Sequence, residues 1–185
     1  MAGSGADGAE AGGEAGPEAA VRSAVAARAA AGEVTMDRGS GARDFFERLD
    51  RLAIAEAIRR AEEKGFGEIR VHVRHGRVGD ARAEAERTFV RLGMAKTANR
   101  TGCLIFIVPE ERAFAVVGDT AICERVGEAF WLEARDAAAA LFVEERFTEG
   151  ILAAVGRIGD ALAKHFPKAA GQPDINELPD DVSES

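Results

Sequence analysis

Residues 97–119 read TANRTGCLIFIVPEERAFAVVGD, and this stretch decides the fold. Cys103 to Val108 is apolar at every position, as a strand covered on both faces requires. Pro109 to Arg112 is short and polar, so Ala113 to Val117 is expected to return antiparallel as a hairpin partner. Upstream, Ile69, Val71 and Val73 alternate with Arg70, His72 and Arg74, a period of two that predicts a half-exposed edge strand. Between the two lies helical spacing over 80–92, with Ala85, Phe89 and Leu92 on one side and Gly93 placed to end it. A helix joining two strands implies a right-handed crossover, so the strands at 69 and 103 run parallel and the strand at 113 runs back.

Working outward, Asp50 can cap a helix in which Ile54, Ala57, Ile58 and Ala61 form one buried stripe ending near Gly65. Beyond the hairpin a helical region begins at Gly118-Asp119-Thr120, is divided at Gly127, and continues through Trp131, Ala134, Ala138 and Leu141. A last helix over 148–165 carries Ile151, Val155, Ile158 and Leu162 on one stripe and stops at Phe166-Pro167. Its glycines, Gly150, Gly156 and Gly159, cost about 1 kcal/mol each relative to Ala, which close approach of a neighbouring helix would offset. The pattern predicts an α/β fold: a small three-layer α/β/α sandwich on a mixed sheet of three to four strands.

The 185 residues suit one domain with tails. Residues 1–41 are rich in Ala and Gly and contain no Leu, Ile or Phe, so they read as a disordered tail, with helix propensity over 17–31. The abrupt change of composition leaves open a start at Met36. Residues 42–168 form the folded part, and 169–185 an acidic tail suited to disorder or docking. With Lys+Arg 24 against Asp+Glu 32, the net charge of −8 argues against nucleic acid and anionic membranes. No apolar stretch approaches the ~20 residues of a membrane span, and no secretory signal is visible. Two cysteines, Cys103 and Cys123, form neither a disulfide scaffold nor a zinc spacing, which with the missing signal predicts a cytoplasmic protein.

The crossover brings three segments to one end of the sheet: Glu62 to Glu68, Thr97 to Arg100, and Gly118-Asp119. Asp119 fits a ligand of a divalent cation, calcium or magnesium, with Glu68 or Glu62 beside it; it equally fits an N-cap. Arg100 can clamp a phosphate or carboxylate through its planar fork, with Thr97 and Asn99 adding hydrogen bonds, or can simply pair with Glu68 or Asp119. His72 and His75 lie on opposite faces of one strand and cannot share an ion, so both read as surface residues. Cys103 and Cys123 read as core, and Trp131 as packing of a helix on the sheet.

The stretches AIRRAEEKGFGEIRVHV (57–73), TANRTGCLIFIVPEERAFAVVGD (97–119), Trp131, FTEGILAAVGRIGDALAKHFP (147–167) and NELPDDV (176–182) together resemble the TPM domain family. That resemblance implies an α/β/α sandwich, acid phosphatase activity as in a plant member, and binding of divalent metal, calcium especially. It carries over to Gly67-Glu68-Ile69, Thr97, Arg100-Thr101-Gly102, Gly118-Asp119 and Trp131. Many members carry a signal sequence and a membrane anchor, neither of which is expected from this sequence; it contains no Tyr, and the Gly-Tyr-Gly-type loop of other branches is reduced to VVGDTAI (116–122).

Two functions follow as expectations. In one, a cation on Asp119 and a nearby Glu polarises a phosphomonoester while Arg100 stabilises developing charge. In the other, the same edge binds calcium or a protein partner without catalysis and assists a complex.

Overall fold

The computed structural model describes residues 24–28, 42–168, 179 and 181–185. Among the described residues, ten α-helices and β-strands follow one another: β1 (Ala24–Arg28), α1 (Ala42–Glu47), α2 (Arg51–Glu62), β2 (Ile69–Val73), α3 (Ala81–Arg91), β3 (Cys103–Val108), β4 (Ala113–Gly118), α4 (Thr120–Val143), α5 (Phe147–His165) and β5 (Val182–Glu184). The sheet order is β1-β4-β3-β2-β5. β2 and β3 are parallel across the α3 crossover, Ile69 opposite Cys103, and β3 and β4 form the antiparallel hairpin, Cys103 opposite Gly118. This mixed α/β architecture is the expected one, with the central three strands at their expected positions.

Alternation in the strands creates two cores. Ile69, Val71, Val73, Cys103, Ile105, Ile107, Phe114 and Val116 face α2, α4 and α5, where Ile54, Ile58, Trp131, Ile151, Val155 and Leu162 complete the larger core. Leu104, Phe106, Val108, Ala115 and Val117 face α3, packing on Ala85 and Phe89. Apolar residues on both faces of β3 are the physical consequence of this three-layer arrangement. Asp50 accepts the Ala53 amide at 2.9 Å and caps α2. Gly127 (φ 74°, ψ 174°) bends α4, as its position predicts.

Two differences from the sequence reading matter. β1, in a stretch with helix propensity, pairs antiparallel with β4. At the other side, β5 pairs parallel with β2, Val71 opposite Val182, so β2 is not an edge strand among the described residues. Consequently Arg70 and His72, expected at the surface, are buried. The rest of the expected tails, and Met36, lie outside the described residues.

Candidate functional site

The three segments meet as the crossover requires. The Cys103 amide donates to the Glu68 carbonyl at 2.7 Å, and the Asp119 amide donates to the Gly102 carbonyl at 2.9 Å. Asp119 is wholly buried. Its Oδ1 accepts the Thr120 amide at 2.6 Å, capping α4, and its two oxygens accept from Arg100 Nε at 3.1 and 3.0 Å. Asp119 is therefore both the cap and the partner of Arg100.

Arg100 lies in the left-handed region, φ 54°, at a cost of roughly 1–2 kcal/mol for a side-chain-bearing residue. Its amide donates to the Thr97 carbonyl at 3.2 Å and its carbonyl accepts the Ala121 amide at 3.1 Å, so a turn clamped at both ends holds that conformation. The side chain is 39% exposed. Nε points inward at Asp119, leaving the terminal amino groups for another acceptor. Asn99, next to it, is exposed. Thr97 is buried, and its hydroxyl donates to the Met94 carbonyl at 3.3 Å, which fixes the turn and takes its proton away from any ligand.

Glu62 and Glu68 are also buried. Glu62 Oε1 accepts the Ile69 amide at 2.7 Å, closing the entry to β2, and the Glu62 carbonyl accepts from Lys168 Nζ. Its place four residues after Ile58 sets Glu62 on the buried stripe of α2. Among the described residues, no three His, Cys, Asp or Glu side chains are grouped to hold one metal ion. Glu62 Oε1 is engaged by the Ile69 amide, and the Asp119 oxygens by the Thr120 amide and the Arg100 guanidinium.

The thiols border this end. Burial first, then Cys123 and Asp119, push the Cys103 thiol well above the ordinary range. Burial and the Asp119 carboxylate push Cys123 up to about 12. Neither offers a thiolate at neutral pH. Trp131 is buried against Gly118, as expected of a packing residue; a Cβ there would stand 2.5 Å from the indole Cζ2.

A model of the TPM domain matches residues 42–161. The chain belongs to the TPM domain family. This TPM domain is also similar to a solved structure, the NMR structure of BA42 protein from the psychrophilic bacterium Bizionia argentinensis sp. nov., with 36% identity, a TM-score of 0.67, and coverage of 73% of this chain and 92% of that one. No curated protein matches the chain. Among the described residues of the TPM domain, no helix is long and apolar enough to cross a membrane.

Proposed function

We propose that this TPM domain is a non-catalytic binding module, which uses Arg100 and Asn99 to hold a carboxylate or phosphate group of a protein partner and so assists a complex. One observation carries the reading: Asp119, the carboxylate a hydrolytic mechanism would need, is buried and spends both oxygens orienting Arg100. A guanidinium held at Nε presents its outer edge in a fixed direction, which suits recognition of an oxyanion. The raised thiols of Cys103 and Cys123 supply no nucleophile beside it.

Inorganic phosphate titrated into the full chain, followed by amide NMR, tests this reading. The expected result is saturable shifts at Asn99, Arg100 and Thr101 that disappear in Arg100→Lys, which keeps the charge and loses the fork. The same samples are then given p-nitrophenyl phosphate with calcium or magnesium. Cation-dependent turnover lost in Asp119→Asn would replace the binding module by the metal-assisted phosphatase reading.

A further inference from the structure

The outer flank of β2 holds a peptide segment already. β5 runs parallel to it, with Val71 opposite Val182 and Val73 opposite Glu184. The Ser185 amide donates to the Val73 carbonyl at 3.1 Å, and the His75 amide donates to the Ser185 carbonyl at 2.7 Å. Around this ladder the side chains match an acidic, serine-bearing strand. His72 meets Ser183 Oγ at 2.8 Å through Nδ1 and Ser185 Oγ at 2.9 Å through Nε2. His75 Nε2 meets Glu184 Oε2 at 2.8 Å. Arg74 Nη1 donates to the Ser185 carbonyl at 3.1 Å, and Arg70 Nη2 reaches toward Asp181 Oδ1 at 3.9 Å.

Residues 181–185 do not satisfy everything that this flank offers. The Arg70 side chain is 10% exposed, its Nε is buried without a hydrogen-bond partner among the described residues, and the Asp181 carboxylate stops beyond hydrogen-bond length. Arg74 Nε is likewise buried without a hydrogen-bond partner among the described residues, although its charge is paired with Glu84 on α3 at 4.0 Å. Buried donors left unmade are costly, more so when charged, so an occupant that seats a carboxylate on Arg70 gains what β5 forgoes. Beside Val182 an open groove of about 480 Å³, lined in part by Leu49, Leu52 and Ala55, has room for a larger apolar side chain.

We infer that the outer flank of β2 is a strand-acceptor site for an acidic, serine-containing extended segment of a partner protein, which residues 181–185 occupy in cis until displaced. Main-chain pairing supplies affinity, and Arg70, His72, Arg74 and His75 supply the preference for acidic and hydroxyl-bearing residues. The site is independent of the Arg100 edge. Self-occupancy sets a threshold, because a tethered segment competes at an effective concentration of ~mM.

The test uses the full chain carrying Val182→Asp with Glu184→Lys, which puts a charge into the apolar core and a cation against His75. The probe is a fluorescein-labelled peptide PDDVSES, the sequence of residues 179–185. Saturable binding to this variant, at least about tenfold tighter than to the unaltered chain, is expected. Adding Arg70→Gln should weaken it, and a peptide with its acidic residues replaced by lysine should not bind. No saturable binding by a variant whose β3 and β4 amide NMR signals stay native, or equal binding of the lysine peptide, overturns the inference. Should the variant unfold, excess unlabelled peptide is added to the unaltered chain: Ser183 and Ser185 amide signals that move to unstructured positions support displacement, and fixed signals overturn it.

Discussion

Arg100 holds Asp119 from the solvent side: Nε lies 3.1 and 3.0 Å from the two oxygens of a carboxylate that is itself wholly buried. Among the described residues, removing the guanidinium leaves that charge with only the Thr120 amide and hydroxyl. Breaking a fully buried pair costs about 3–5 kcal/mol; here one side is open to water, so Arg100→Ala should cost about 2–3 kcal/mol. Asp119→Asn keeps an acceptor for the cap and should cost about 1 kcal/mol. The combination Arg100→Ala with Asp119→Asn should be more stable than Arg100→Ala alone, because no buried charge is stranded. Urea unfolding of the three variants checks the order, and a double variant weaker than Arg100→Ala would show that the pair is not what holds this end together.

The three glycines of α5 should behave differently when each becomes Ala. A Cβ at Gly159 would stand 2.6 Å from Ala61 Cβ on α2, and one at Gly150 would stand 2.4 Å from the Phe142 ring on α4. At Gly156 it would meet nothing within 4 Å among the described residues. Gly159→Ala should therefore destabilise by about 1–3 kcal/mol through overpacking, whereas Gly156→Ala should stabilise by up to about 1 kcal/mol through helix propensity. Thermal melting of the two variants gives shifts of opposite sign if the helix contacts are as described.

The sequence pattern carried most of this fold because each decisive signal was local. The unbroken apolar run of β3, the polar turn at 109–112 and the crossover helix together specify direction, and direction alone brings Asp119 to Arg100. Close helix approach was legible at Gly150 and Gly159 but not at Gly156, whose outward position depends on how α5 is rotated. The covering of β2 was illegible for a different reason. Val182-Ser183-Glu184 is too short and polar to read as a strand, and its partner lies more than a hundred residues away. Without that pairing the alternation of Arg70, His72 and Arg74 reads as one solvated face, which is what periodicity alone supports. The use of Thr97 inward and Asn99 outward was equally beyond reach, since it depends on the left-handed backbone at Arg100.

Both thiols should be silent in the folded chain. Cys103 is fully buried, and Cys123 Sγ donates to the Gly118 carbonyl at 3.2 Å with its thiol held up to about 12. At pH 8 the reactive thiolate is thus a minute fraction of either residue, and alkylation follows the thiolate. Iodoacetamide should modify neither cysteine natively and both in denaturant, as intact mass would record. Native modification of Cys123 at a rate near that of a free thiol would reopen a nucleophilic role.

His72 should make stability depend on pH in a definite window. It lies buried on β2, stacked on Phe106, bonded to Ser183 and Ser185 of the β5 segment, and surrounded by the positive charges of Arg91 on α3 and of Arg70 and Arg74 on its own strand. Burial foremost, then these charges and His75, lower it from 6.5 to about 4. The folded state therefore binds this proton less readily than the unfolded state. Between pH 6.5 and about 4 the unfolded chain carries more protons, so stability rises with pH. The contribution is complete above 6.5, falls as the pH drops through the window, and is gone below about 4. At ~1.4 kcal/mol per unit its full size is up to about 3 kcal/mol. His72→Gln retains hydrogen-bonding groups for the two serines and removes the titration. The urea midpoint of the parent should fall more steeply than that of the variant as the pH is lowered from 7 to 4; parallel curves would mean that His72 is not linked to folding in this way.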